Sequence, residues 1–190
     1  MGLVVHSLAM LPKHSDRDHY VYLLDYGWQG SLGEVLFKNF DKIAAYATEN
    51  HFVVMKGTPG SHFEDEVFSW HGINGEDGEN VLPAILITTL NPHYFQDSKW
   101  KSKYRDEGLK QNILLIPIKK ICKTESDVAE LIEKTIKNLI EKKSLEDFSV
   151  VKELKAGKGK AIVDCLILQP TFFGFGGDLK NIPKIFKRKK

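Results

Sequence analysis

The sequence predicts an α/β fold, a single domain in which a mixed β-sheet packs against helices. Short apolar runs rich in β-branched residues alternate with two segments whose apolar residues recur at helical spacing. The most apolar run in the middle of the chain is 81–92, VLPAILITTLNP, which we interpret as a buried strand of that sheet. A chain of 190 residues is long enough to fill one such domain.

The first part of the chain predicts the order strand, helix, strand. Residues 3–11 form an apolar run, and residues 19–28 alternate aromatic and aliphatic side chains, so each is predicted to be a strand. The Ser31–Glu34 capping-box pattern predicts one helix that ends near Asn50. Residues 51–56 then form a short strand, and we expect a βαβ unit with two parallel strands.

The later part of the chain predicts a further buried strand and the clearest helix. Residues 113–118 are apolar and are predicted to form the strand. The segment Thr124–Asp127 offers an N-cap, and apolar residues over 128–140 follow helical spacing. Residues 148–154 and 161–168 are predicted to pair as two strands of a hairpin.

Four segments give the order strand, helix, strand and a strand entered through a proline: Tyr20–Gly27, Glu34–Asn50, Phe52–Lys56 and Leu82–Ala84. This layout resembles that of thioredoxin-like proteins over about half of the chain. The resemblance implies that a redox cysteine pair would stand at 28–31, where this chain has none. It therefore implies a thioredoxin-like architecture in which thiol–disulfide exchange is disfavoured.

Charge is distributed unevenly along a chain whose formal net charge is only +2. Residues 57–98 carry seven acids and no Lys or Arg, whereas residues 180–190 carry six basic residues and no acid. We therefore divide the chain into a domain, 1–179, and a basic C-terminal tail, 180–190. The tail could contact phosphates of a nucleic acid, but six charges on a terminus are too few to favour that partner.

The acidic and aromatic segment 62–80 is predicted to bind a protein partner. Its aromatic side chains would be anchors and its acids would steer the partner, although core packing of the aromatics is an open alternative. The predicted contact residues are Phe63, Glu64, Asp65, Glu66, Phe68 and Trp70. On this hypothesis the protein is a non-catalytic adaptor or accessory subunit of a bacterial system and needs no cofactor.

A second hypothesis is a metal-dependent hydrolase or nuclease. Metal-capable side chains are concentrated in the ten positions 62–71, and the candidate ligands are His62, Glu66 and His71 together with the neighbouring acids. Their spacing matches no fixed metal-binding motif. If the segment is helical, His62 and Glu66 share a face and His71 lies elsewhere.

A third hypothesis, a degenerate thioredoxin-like protein without a CxxC motif, depends on a reactive Cys122 or Cys165. Both cysteines stand beside apolar residues, so we expect buried, reduced thiols in a cytoplasmic protein. The apolar run 3–11 follows no basic residue and contains polar side chains, which argues against a signal peptide. No run reaches the roughly 20 apolar residues that span a bilayer, so no membrane partner is expected.

Overall fold

A mixed β-sheet runs through the centre of the described part of the chain. The computed structural model describes residues 1–27, 30–73, 81–96, 113–158 and 167–168. The strands are β1 (Gly2–Val5), β2 (His19–Leu24), β3 (Phe52–Gly57), β4 (Ala84–Thr88), β5 (Ile113–Pro117) and β6 (Ile167–Leu168), in the spatial order β1-β3-β2-β4-β5-β6. The pairs β1–β3 and β3–β2 are parallel, whereas β2–β4, β4–β5 and β5–β6 are antiparallel. The predicted α/β class with a mixed sheet is confirmed.

Helices cover both faces of the sheet. They are α1 (Gly30–Lys38), α2 (Phe40–Glu49), α3 (Phe63–Trp70), α4 (Ile118–Ile121), α5 (Glu125–Ile140) and α6 (Ser149–Lys158), with short 3₁₀ helices at Leu8–Met10, Pro92–Phe95 and Leu145–Asp147. In this part of the chain no helix is both long and apolar enough to cross a membrane.

The alternation of side chains along β2 explains why the sheet is buried on both faces. Val21 and Leu23 point to the core formed with α1, α2, α5 and α6, whereas Tyr20, Tyr22 and Leu24 point to the core formed with α3 and the 3₁₀ helices. All six residues of β2 are buried. A strand covered on both sides has no polar face, which is why its sequence is almost continuously apolar.

The βαβ unit is confirmed, with one correction to its helix. Strands β2 and β3 pair in parallel from His19–Phe52 onward, but two helices, α1 and α2, connect them where one was predicted. The break falls at Asn39, where the carbonyl of Val35 accepts both the Asn39 side-chain Nδ2 at 2.8 Å and the Asn39 backbone N–H at 3.2 Å. Helix α1 also begins at Gly30, so Ser31 is not its N-cap.

The predicted hairpin over 148–154 and 161–168 is wrong, because residues 149–158 form helix α6. Val150, Val151 and Leu154 are buried against the core, and their spacing places all three on one face of a helix, whereas a strand would divide them between its two faces. Residues 161–166 lie outside the described residues, and β6 pairs with β5.

Other predicted strands are present but shorter. The first ends at Val5, and Leu8–Met10 is a 3₁₀ helix whose N-cap is Ser7. Within the predicted strand 81–92, only Ala84–Thr88 is extended, and the Leu82–Pro83 bond before it is cis. The boundary at 179 and the basic tail lie outside the described residues.

Helix α5 confirms its predicted start and generates a stability prediction. Thr124 Oγ1 accepts the Asp127 N–H at 3.2 Å, and Asp127 Oδ2 accepts the Thr124 N–H at 2.9 Å. We expect Thr124→Ala to lower the free energy of unfolding by about 1 kcal/mol in urea titrations, because the cap is lost. Thr124→Ser, which keeps the cap, and Thr48→Ala on the exposed side of α2 should cost clearly less; equal losses in all three variants would contradict the assignment.

Candidate functional site

A cleft of about 550 Å³ opens where the parallel strands β1, β3 and β2 end. The carboxyl ends of parallel strands meet at one edge of a sheet, and in α/β proteins ligands commonly bind there. The cleft is lined by Val4 of β1, residues 25–27 after β2, Phe37 of α1, residues 56–62 at and after the end of β3, and Glu64 of α3.

The turn after β3 brings the start of α3 into the cleft. Thr58 N–H donates to the carbonyl of Val5 at 2.9 Å, which ties the turn to β1. At Gly57 a Cβ atom would lie 2.4 Å from the Cβ of Phe63, so only glycine allows β3 and α3 to approach this closely. The turn therefore places the first residues of α3 beside the segment that follows β2.

Two carboxyl side chains, Asp25 and Glu64, are the most buried polar groups of the cleft. They are 8% and 7% exposed. The backbone N–H of Gly27 stabilises the Asp25 carboxylate, and the N–H groups of Glu64 and Asp25 stabilise the Glu64 carboxylate. A Cβ at Gly33 would lie 2.0 Å from Asp25 Oδ2, so Asp25 packs directly on the backbone of α1.

Burial disfavours the ionised form of both carboxyls and so raises their pKa values. Burial raises the pKa of Asp25, and this outweighs the opposing effects of the Gly27 N–H and the Lys119 charge. Burial also raises the pKa of Glu64, and the negative charges of Asp25 and Asp65 add to that increase although two backbone N–H groups oppose it. Nowhere in the described part of the chain does either carboxyl form an ion pair.

The lysine that lines the cleft is held on aromatic rings. Lys56 Nζ lies 4.4 Å from the ring centroid of Phe40 and 5.7 Å from that of Phe37. Both distances are within the range of a cation–π contact. Among the described residues, Lys56 forms no ion pair with Asp25 or Glu64.

A polar network joins two cleft residues on the rim. The Tyr26 hydroxyl donates to Asp65 Oδ1 at 2.5 Å, and His62 Nδ1 lies 3.5 Å from Asp65 Oδ2. His62 has a left-handed backbone, φ 51°, which is uncommon for a residue with a side chain and recurs at functional sites. The His62 side chain is 85% exposed.

The predicted aromatic anchors are in the interior. Phe63 is fully buried and Phe68 is 7% exposed, both in the core between α3 and the sheet, so neither can contact a partner in this conformation. Helical spacing turns these apolar side chains of α3 toward the sheet. Trp70 is partly buried, with its ring 5.6 Å from that of His93. Residues 74–80 of the predicted surface lie outside the described residues.

The predicted acidic contact residues have three different positions. Glu64 lines the cleft, and Asp65 is on its rim beside Tyr26 and His62. Glu66 caps the 3₁₀ helix Leu8–Met10, because its carboxylate accepts from Ser7 Oγ at 2.7 Å and from the Leu8 N–H at 2.9 Å. The binding prediction therefore stays a prediction, carried by Glu64 and Asp65 and by the exposed part of Trp70.

The candidate metal ligands His62, Glu66 and His71 do not converge. His62 is at the surface, Glu66 caps a neighbouring helix, and His71 is buried on the other side of α3. His71 Nδ1 lies 2.7 Å from the carbonyl of Val67, so it carries the proton, and Nε2 accepts the Tyr22 hydroxyl at 3.2 Å. Across the described ranges no three His, Cys, Asp or Glu side chains are grouped to hold a metal ion.

The sequence interpretation missed Asp25. The available signal was an acid immediately after an apolar strand, in LLDYG, at a position where a parallel strand ends. Its burial depends on packing against α1 and α3, which both follow it in the chain. The residues beside Asp25 in the sequence therefore do not indicate that it is buried.

Burial of His71 predicts a pH-dependent stability. Its pKa falls from 6.5 to about 4 because burial disfavours the charged ring, so between these pH values the unfolded chain binds a proton that the folded chain does not. Stability should therefore decrease by about 3 kcal/mol as pH falls through this window. In urea unfolding, His71→Gln should reduce this dependence and His62→Gln should not; equal pH profiles for the three proteins would contradict it.

Burial of Asp25 predicts the opposite pH dependence. A raised pKa in the folded state means that folding is favoured by the protonated form, and this contribution is lost as pH rises through the folded pKa. We expect Asp25→Asn to increase the free energy of unfolding at about pH 8, with the gain shrinking toward about pH 4. The exposed Asp16→Asn is the control, and a loss of stability in Asp25→Asn at both pH values would show that the carboxylate is structural.

Comparison of the chain with protein-family models, curated proteins and solved structures finds no match in any of the three. No relative therefore supplies a function, a ligand or a set of functional residues. The candidate site rests on its own geometry: a cleft at the carboxyl ends of three parallel strands, with two buried carboxyls that have raised pKa values and no ion-pair partner in the described part of the chain.

Proposed function

We propose that the protein is a non-catalytic binding module that recognises its ligand in the cleft beside β1, β3 and β2. The observation that carries the proposal is the pair Asp25 and Glu64, both more than nine-tenths buried and both lining the cleft. Burying carboxyl groups without a charge partner costs stability, which a fold tolerates where function uses those groups.

The size of the cleft supports recognition of a small group. A volume of about 550 Å³ lies within the range of cavities that hold metabolites or a side chain of a partner. The proposed contact surface therefore moves from the segment 62–80 to the cleft, and it keeps His62, Glu64 and Asp65 from the original prediction. A protein partner remains part of the proposal, since a partner side chain can enter such a cleft.

The thioredoxin-like architecture also belongs to the proposal. The parallel unit of β2, α1, α2 and β3, followed by β4 entered through Pro83, supports it. Cys122 offers no support for redox chemistry, because burial, with the charges of Asp127 and Glu130, raises its pKa to about 11. Cys165 lies outside the described residues. A buried, reduced Cys122 supports the cytoplasmic location in the proposal.

A second candidate is an acid–base hydrolase that uses the same two carboxyls. Neighbouring carboxyls with raised pKa values are typical of general acids and bases near neutral pH. In this candidate Asp25 and Glu64 replace the cluster over 62–71, whose side chains do not converge.

The proposal is tested with three probes of equal length, butylammonium, butyramide and butyrate, added to the protein while its amide NMR spectrum is recorded. At least one probe should shift the signals of Tyr26, Gly57 and Gly60, because these residues line the cleft. Val4→Trp should abolish the shifts, since Val4 is 52% exposed and lines the cleft.

The matched control is Met10→Trp, at a position that is 70% exposed and does not line the cleft. It should leave the shifts unchanged. If no probe shifts the cleft signals, or if the shifts persist in Val4→Trp, the proposed site is wrong. Conversion of butyramide to butyrate in the same samples, lost in Glu64→Gln, would favour the hydrolase.

A further inference from the structure

We propose that protonation of His71 opens a local unit on one face of the sheet, which we call the α3 layer. The α3 layer consists of helix α3 and the 3₁₀ helices Leu8–Met10 and Pro92–Phe95, which cover the same side of the sheet. Opening of this layer does not depend on which ligand the cleft binds, so the proposal is independent of the proposed function.

The elements of the α3 layer are joined to one another by hydrogen bonds. The Glu66 carboxylate accepts from Ser7 Oγ at 2.7 Å and from the Leu8 N–H at 2.9 Å, which joins α3 to the first 3₁₀ helix. His93 Nε2 lies 2.7 Å from the carbonyl of Leu11, which joins the second 3₁₀ helix to the end of the first. These bonds favour concerted opening of the three elements.

Within the described part of the chain, the α3 layer contains less helix than the cover on the opposite face. Helix α3 has eight residues, whereas α1, α2, α5 and α6 pack on the other side and α5 alone has sixteen. A helix as short as α3 is marginal in water, so it depends on its packing against the sheet. A segment of this kind opens more readily than the rest of a fold.

The His71 ring joins the α3 layer to strand β2 in the interior. The residue follows the last residue of α3 and is 1% exposed. Its Nδ1 donates to the Val67 carbonyl at 2.7 Å, and its Nε2 accepts the Tyr22 hydroxyl of β2 at 3.2 Å. The ring also packs on Phe95, with 4.4 Å between the two centroids. His71 therefore contacts two elements of the layer and the strand beneath them.

Protonation removes the acceptor on which the Tyr22 hydroxyl depends. A charged imidazole has two donors and no acceptor, so Nε2 can no longer accept a hydrogen bond. Tyr22 is fully buried, and among the residues that the structure describes its hydroxyl has no other acceptor. A closed layer would then contain an unpaired hydroxyl proton and a buried charge, and both cost stability. Opening gives both groups access to water.

Among the described residues, no carboxylate compensates a charged His71 ring. The three acids of α3, at 64–66, lie in its first turn, whereas His71 follows the last turn. The titratable side chains on the ring's side of β2 and on the second 3₁₀ helix are Tyr20, Tyr22, His93 and Tyr94. None of them is negatively charged near neutral pH. In agreement with this environment, burial lowers the pKa of His71 to about 4.

Opening of the α3 layer changes the surface that the protein presents. Phe63, Val67 and Phe68 leave the core together, and the sheet face beneath them becomes accessible. Glu64 moves with α3, so one wall of the cleft is lost in the same step. Acid should therefore expose apolar surface and dismantle the cleft at once.

Hydrogen exchange of the full chain, read by NMR at about pH 7.5 and about pH 5, tests the proposal. The His71 amide donates to the Val67 carbonyl at 3.1 Å in the closed layer. After correction for intrinsic exchange, its opening constant should rise by about thirtyfold at the lower pH, because the open state binds a proton that the closed state does not. At about pH 5 it should exceed the opening constants of Ile132 and Leu139 in α5 by at least about tenfold.

Two variants assign the effect to the imidazole. His71→Gln does not titrate, but its amide can still donate and accept, so the rise in the opening constant at position 71 should fall below about threefold. The matched control is His93→Gln, which removes a histidine from the same layer. It should keep the rise of about thirtyfold.

Two results would overturn the proposal. Equal opening constants for α3 and α5 at about pH 5 would show that the ring is exposed only when the whole chain unfolds. A rise of about thirtyfold that persists in His71→Gln would show that another group takes up the proton. If His71→Gln does not fold, the comparison of α3 with α5 in the unmodified protein decides alone. Neither result changes the probe binding expected of the cleft near neutral pH.

Discussion

The parallel pairing of β3 with both β1 and β2 is the constraint on which the fold and the cleft depend. Parallel neighbours cannot be joined by a tight turn, so the chain has to cross one face of the sheet, and α1 and α2 form that crossing. The same pairing brings the ends of three strands to one edge. The segments that leave those ends have to share the space there, and the cleft is the gap between them.

The cleft is built from backbone contacts that exclude side chains at two positions. Gly57 allows β3 to pass close to Phe63, and Gly33 allows α1 to pass close to Asp25. These approaches place Asp25 against a helix backbone and Glu64 within reach of the Asp25 N–H. The burial of both carboxyls thus follows from how closely the elements approach, and the raised pKa values follow from the burial.

The sequence predicts the elements that have one dominant period or cap. Strands β2 and β3 are apolar runs bounded by turns, and α5 has both a regular apolar stripe and the Thr124 cap. Helix α6 was predicted as a strand because Val150 and Val151 are β-branched and the run is short. Propensity is overridden here by packing of the segment against the core.

The candidate site was less predictable than the fold, because its properties depend on contacts between distant segments. The sequence shows that residues 62–71 are acidic, but it does not show which of the acids is buried. In the structure that acid is Glu64. Asp25, its counterpart, stands nearly forty positions earlier in the sequence. His71 seemed a metal ligand by residue type, but its hydrogen bonds to Val67 and Tyr22 occupy both ring nitrogens.

The close contact between Gly33 and the Asp25 carboxylate links the two positions in evolution. A side chain at position 33 would displace the carboxylate from its present position, so a lineage that keeps the acid there favours glycine at position 33. A lineage that loses the acid is released from that requirement and can gain helix propensity in α1, since alanine is favoured over glycine inside a helix. Replacement of Gly33 is therefore expected mainly in chains that have also lost the carboxylate at position 25.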